Sequence, residues 1–293
     1  MHPFISTADL SARLGEEKLR IFDCTTFLHP LPEAGQFRVE TGRKAYNEVG
    51  HIPGAALIEL QEDLSDQMSG LRFTALAPAV LARAFKAKGV GDENEVVLYA
   101  GGDQWWATRV WWLLRTIGFD RAAVLDGGLK KWRAEGRPLS AAATAYPAAA
   151  SLTLNERRGL LTGRDGVLKA LESDTAVVVN CLREELHKGT APYHYGRPGH
   201  ITGSVSVPAA ALFAPDGSFK PVAELRALFA ARGIEPGSDR QVVTYCGGGV
   251  AATCDAFALT ALLGHEHVTV YDNSLQEWAA DSRLPMSVGA AAE

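Results

Sequence analysis

Short apolar runs of four or five residues alternate with longer amphipathic stretches along the chain, a pattern that predicts buried parallel strands joined by helices. Leu19-Arg20-Ile21-Phe22-Asp23, Glu95-Val96-Val97-Leu98-Tyr99 and Ala122-Ala123-Val124-Leu125 read as strands, with helices over Pro78 to Lys88 and Thr108 to Ile117. A second series follows, with strands at Ala176-Val177-Val178-Val179, Gln241-Val242-Val243-Thr244-Tyr245 and Val268-Thr269-Val270-Tyr271. Each half is therefore expected to be an open α/β sheet, a fold in which ligands bind beyond the carboxyl ends of the strands.

The two series are copies of one unit. Gly50-His51-Ile52-Pro53-Gly54-Ala55 returns as Gly199-His200-Ile201-Thr202-Gly203-Ser204. Val96-Val97-Leu98-Tyr99 and Val242-Val243-Thr244-Tyr245 lie 146 residues apart, and so do the segments Asp126 to Trp132 and Asp272 to Trp278. A constant offset over separate segments marks an internal repeat. Between the copies, Arg137 to Ala150 holds small residues, two prolines and one charge, the composition of a linker. The expected organisation is a first domain at 1–138, a linker at 139–152, a second domain at 153–286 and a flexible tail at 287–293.

Composition narrows the classes. With 293 residues, 47% of them hydrophobic and 22% charged, the chain can fill two cores. A net charge of -5 and a pI near 5.9 give no whole-molecule attraction to nucleic acid or to an anionic membrane. The N-terminus lacks a secretory pattern and no apolar run approaches the ~20 residues of a membrane span, so a cytoplasmic protein is expected. Cys24, Cys181, Cys246 and Cys254 show neither Cys-x-x-Cys nor zinc-ligand spacing. Reduced thiols are expected, and no metal or other cofactor.

One cysteine stands apart. Cys246 directly follows a strand and precedes Gly247-Gly248-Gly249, after which Val250 to Leu259 reads as a helix. Glycines permit a tight turn and leave backbone N–H groups uncovered, and a loop of this kind at a helix N-terminus cradles an anion. A cysteine there is a candidate nucleophile, with Gly247, Gly248, Gly249, Val250 and Ala251 as its anion-binding loop. The first copy keeps the strand and two glycines but has Ala100 at the cysteine position, so that half is expected to be catalytically inactive. Cys24 and Cys181 end equivalent strands and Cys254 lies in the helix; these three are assigned to packing.

The segments just quoted, from about Ile21 to Pro285, resemble the tandem-domain rhodanese family, the thiosulfate and 3-mercaptopyruvate sulfurtransferases. That resemblance implies two tandem rhodanese-like domains, each an open, mostly parallel sheet with helices on both faces. It implies a Cys246 persulfide charged by 3-mercaptopyruvate or thiosulfate and discharged to cyanide or to a thiol such as thioredoxin or a small thiol. The run Cys246-Gly247-Gly248-Gly249-Val250 is closer to the Cys-Gly-Ser-Gly-Val of mercaptopyruvate enzymes than to the cationic loops of thiosulfate enzymes. Yet Gly248 lacks the serine hydroxyl, Leu186 and Tyr195 stand where that family presents two arginines, and Asn180 stands where it has an aspartate. The donor is left open. Candidate substrate-binding residues are Arg183, His187, Lys188, His194 and Arg197, with His51 and Trp105 from the first copy. Phosphatases and arsenate reductases also use a loop cysteine, but their Cys-x5-Arg pattern fails at Ala252. A binding or redox-sensing module without turnover is the other alternative.

Overall fold

The computed structural model describes residues 1–31 and 37–289. Two five-stranded sheets, all of whose pairings are parallel, carry the chain. The first has the order Phe4–Ile5, Ala122–Leu125, Glu95–Tyr99, Leu19–Asp23, Ala55–Leu57. The second repeats it as Leu161–Thr162, Val268–Tyr271, Gln241–Tyr245, Ala176–Asn180, Val205–Ser206. Strands predicted from the apolar runs all form, because runs buried on both faces suit parallel sheets flanked by helices. Helices span Pro78–Ala87, Trp105–Thr116 and Ala252–Phe257, the last continuing into one wider turn at Ala258–Leu262.

Alternate residues of the first sheet face different cores. Phe22, Val96, Leu98 and Val124 join a core shared with the second half, whereas Ile21, Val97, Tyr99 and Leu125 face a smaller one with Leu10 and Trp132. The shared core runs through the helix pair Trp105–Thr116 and Ala252–Phe257. Trp111 meets Phe257 edge-on at 4.8 Å, and the Thr108 hydroxyl bonds the Thr253 hydroxyl at 2.8 Å and lies 3.4 Å from Cys254 Sγ. Thr108 and Cys254 occupy equivalent positions of the repeat. Their contact places a pseudo-twofold axis between the two helices.

The segment expected as a linker lies against the first sheet. Ser140 exchanges two backbone bonds with His51, and the Tyr146 hydroxyl donates to the Gly54 carbonyl while accepting from the Ile21 N–H. Residues 287 and 289 of the expected flexible tail are held in place instead, because Met286–Ser287 pairs antiparallel with His200–Ile201 and Gly289 donates to the Lys188 carbonyl. Residues 290–293 lie outside the described residues. Among the described residues no helix is long and apolar enough to cross a membrane, and no cluster of His, Cys, Asp and Glu could hold a metal ion.

Candidate active site

Cys246 leaves the carboxyl end of the strand Gln241–Tyr245, the central strand of the second sheet, at 2% exposure. The loop that follows is shaped by its neighbours. Gly249 has φ 71°, and any Cβ there would collide with the Asp272 carbonyl, so only glycine fits. Gly247 packs so closely under the Tyr195 ring that a Cβ would penetrate it. Ser274, itself at φ 52°, accepts the N–H groups of Cys246 at 3.0 Å and Gly249 at 3.1 Å and donates to the Tyr271 carbonyl at 2.8 Å. Leu275 and Gln276 donate their N–H groups to the carbonyls of Cys246 and Gly247. Among the described residues, the N–H groups of Gly247, Gly248, Val250 and Ala251 have no protein acceptor. They are available to an anion on the Cys246 sulfur.

The first half reaches across to this loop. Arg109, fully buried in the helix Trp105–Thr116, donates to the Gly249 carbonyl at 3.3 Å, the Phe73 carbonyl at 2.7 Å and the Asp272 carboxylate. The other Asp272 oxygen accepts the Ala75 N–H at 2.8 Å, and the Gln276 amide exchanges two bonds with the Arg72 backbone. The Cys246 loop and the following turn are thus held in a frame supplied by the first half, which has Ala100 at the equivalent position.

Above Cys246 opens a cleft of about 760 Å³ between the halves. Phe27, Phe37, Phe73, Trp105, Tyr193 and Tyr195 are among the residues that line it. Tyr195 stacks on Phe37 at 4.8 Å, and Tyr193 meets the same ring edge-on at 5.7 Å. Arg183 is exposed at the cleft and faces Asp103, whose carboxyl is raised by desolvation while the Arg183 charge opposes that rise. Cys181 lines the cleft too, one step beyond the Asn180–Tyr245 register pair, and burial together with the Asp255 carboxyl pushes its thiol well up. Asp255 is itself buried and held well above the carboxylate range by desolvation.

Of the candidates read from sequence, the cleft brings together Cys246, Gly247, Gly248, Val250, Ala251, Arg183 and Trp105, with Gly249 shaping the loop behind. The remaining five do not line it, and each is engaged elsewhere or turned away. His51 is buried, stacked on Tyr46 at 3.6 Å and bonded to the Tyr46 and Ala142 carbonyls. His187 is stacked on His200 at 3.8 Å and bonded to Asn180. Lys188 pairs with Glu184 at 2.6 Å, and Arg197 clips the carbonyls of Trp278, Ala279, Asp281 and Leu284. His194 is half-buried outside the cleft lining, its Nδ1 without a partner among the described residues. Nearness in sequence to Cys246 or to its cleft does not report where a basic side chain points. Sequence reading missed Ser274, Gln276 and Arg109; the first two lie in the repeated segment Asp272 to Trp278, which was the available signal.

The rhodanese-like domain is matched twice, at residues 6–135 and 167–281. A putative thiosulfate sulfurtransferase of Mycolicibacterium smegmatis is 30% identical over 263 residues, covering 88% of this chain and 93% of that protein. The sulfur carrier protein TtuD of Thermus thermophilus is 30% identical over 252 residues, covering 83% and 87%. Among solved structures, SseA from Escherichia coli, described as a 3-mercaptopyruvate sulfotransferase, superposes with a TM-score of 0.76 at 26% identity, over 94% of this chain and 99% of that one. Two matched domains that cover most of the chain, together with these relatives, lead to one assignment: the chain belongs to the rhodanese-like domain family, in its tandem form, and is a sulfurtransferase.

Proposed function

We propose that Cys246 carries the sulfur as a persulfide, taken from 3-mercaptopyruvate or thiosulfate and passed to cyanide or to a thiol, either a small one or that of a carrier such as thioredoxin. The observation that carries this reading is the loop itself. Cys246 sits at the floor of a cleft, beneath backbone N–H groups that have no protein acceptor among the described residues. An anionic terminal sulfur on Cys246 would receive those hydrogen bonds, which are stronger to a charged acceptor than to a neutral one. Attack by the Cys246 thiolate on the donor's outer sulfur forms the S–S bond, and the donor leaves with the electron pair of the bond that breaks. Arg183, exposed and lining the cleft, is a cation that would attract the donor's carboxylate or sulfonate.

Incubation with a competent donor is expected to add one sulfur atom to the protein, read by intact-mass measurement. A thiol reductant removes it and Cys246→Ser abolishes it. No adduct with either donor would overturn the persulfide reading and favour a module that binds without turnover.

A further inference from the structure

We propose that the Tyr195 hydroxyl is a catalytic proton donor, delivering a proton to the carbon leaving group when sulfur is taken from 3-mercaptopyruvate. The proposal rests on Cys246 being the sulfur carrier and adds a second reacting group to that site.

The chain has seven tyrosines, and their hydroxyls divide sharply. Those of Tyr46, Tyr99, Tyr146, Tyr245 and Tyr271 each have a partner within the protein. Among the described residues those of Tyr193 and Tyr195 have none, and these two line the cleft. Only Tyr195 lies over the catalytic loop, its Cε1, Cζ and hydroxyl occupying the space a Gly247 side chain would need. Phe37 stacks on its ring and fixes its plane. Burial, and then the neighbouring Cys246, raise its hydroxyl above the ordinary tyrosine range, so it is held as O–H.

The position has a structural origin. In the first half, His51 bonds the carbonyl of the aromatic residue stacked on it, five residues earlier; in the second, His200 does the same across thirteen. The second copy therefore carries a longer connection between these paired rings, and Tyr193 and Tyr195 lie on it. The loop itself supplies no hydroxyl, since Gly247, Gly248 and Gly249 have no side chains.

The chemistry distinguishes the two donors. When the Cys246 thiolate attacks the sulfur of 3-mercaptopyruvate, the C–S bond breaks and its electron pair passes to C3 and the adjacent carbonyl as an enolate. Tyr195 gives its proton to that carbon, pyruvate leaves, and the phenolate recovers a proton from the new Cys246 persulfide, which becomes the anion held by the loop. Thiosulfate needs no such donor, because sulfite leaves as a stable anion.

The test is Tyr195→Phe, with single-turnover persulfide formation on Cys246 followed by mass for each donor. Loss of a positioned proton donor is expected to slow the reaction with 3-mercaptopyruvate about 100-fold, and the reaction with thiosulfate by less than about threefold. Alkylation of Cys246 and the thermal midpoint should match wild type. Equal slowing with both donors, or none with either, overturns the proposal. So does a wild-type protein persulfidated by thiosulfate alone, which leaves the Cys246 reading standing; a wild-type protein persulfidated by neither removes both. As a second variant, 3-fluorotyrosine at position 195 keeps the ring and acidifies the hydroxyl. It should keep the 3-mercaptopyruvate rate within about threefold of wild type, and a rate as low as that of Tyr195→Phe overturns the proposal.

Discussion

At position 274 the second half has a serine at φ 52°, where the first half has Gly128 at the same φ. A side chain in the left-handed region costs roughly 1–2 kcal/mol, yet the hydroxyl so placed caps two N–H groups of the catalytic loop. Leaving the two buried donors without a partner costs about 2–6 kcal/mol, which exceeds the strain relieved. Ser274→Gly, which writes the first half's residue into the second, is therefore expected to lower the thermal midpoint, by the equivalent of about 1–4 kcal/mol. It should slow persulfide formation about tenfold, because a looser loop presents the sulfur less well. An unchanged rate would mean that the glycines alone hold the loop.

Each half also contains a stacked ring pair, Tyr46 with His51 and His187 with His200. In the second pair, burial and then the His200 ring lower His187 to about 4 from its ordinary 6.5. The unfolded chain thus binds a proton at higher pH than the folded one. The contribution to stability is complete above pH 6.5 and is lost as pH falls towards 4, by up to about 3 kcal/mol. Urea unfolding at pH 7 and pH 4.5 should show this loss. His187→Tyr, the first half's solution, should reduce it; an equal loss in the variant would assign the acid sensitivity to other groups.

Elements and their order were legible in the chain because runs such as Val96 to Tyr99 and Val242 to Tyr245 bury both faces, and burial of that kind leaves an apolar mark in sequence. The Cys246 loop was legible for a related reason: backbone packed against backbone at Gly249, and against a ring at Gly247, admits no side chain. The rest of the cleft was not. His187, Lys188 and Arg197 resemble an anion site in one dimension, but each has a nearer partner in three. Tyr195 drew notice only as a missing arginine, since a lone tyrosine in sequence does not show whether its hydroxyl is free.

Across the whole molecule, the first half is the frame for the half that carries Cys246. Arg109 is the main strut, bonded at once to the Cys246 loop, to the Phe73 carbonyl of its own half and to Asp272. Arg109→Met is expected to destabilise the protein by about 3 kcal/mol, since it leaves the largely buried Asp272 without its cation. It should also lower kcat more than it raises KM, because Arg109 does not line the cleft. Arg109→Lys should recover most of the stability and less of the rate, a single ammonium being unable to reproduce three directed bonds. A loss of stability with kcat intact would reduce Arg109 to a domain fastener.

The pseudo-twofold contact between Thr108 and Cys254 has a further meaning. A self-meeting of equivalent positions is what two identical subunits make across a dimer axis, so the single chain has the plan of a fused homodimer. Fusion lets the two halves diverge where a true dimer cannot. One step along each helix, Arg109 and Asp255 occupy matching places; the first braces the partner's loop and the second is a buried acid whose oxygens have no nitrogen or oxygen partner among the described residues. Symmetry would have required two braces and two sites, or none. With Ala100 in one half where the other has Cys246, the two halves contribute unlike residues to one cleft, Phe37 and Trp105 from the first and Tyr195 and Cys246 from the second.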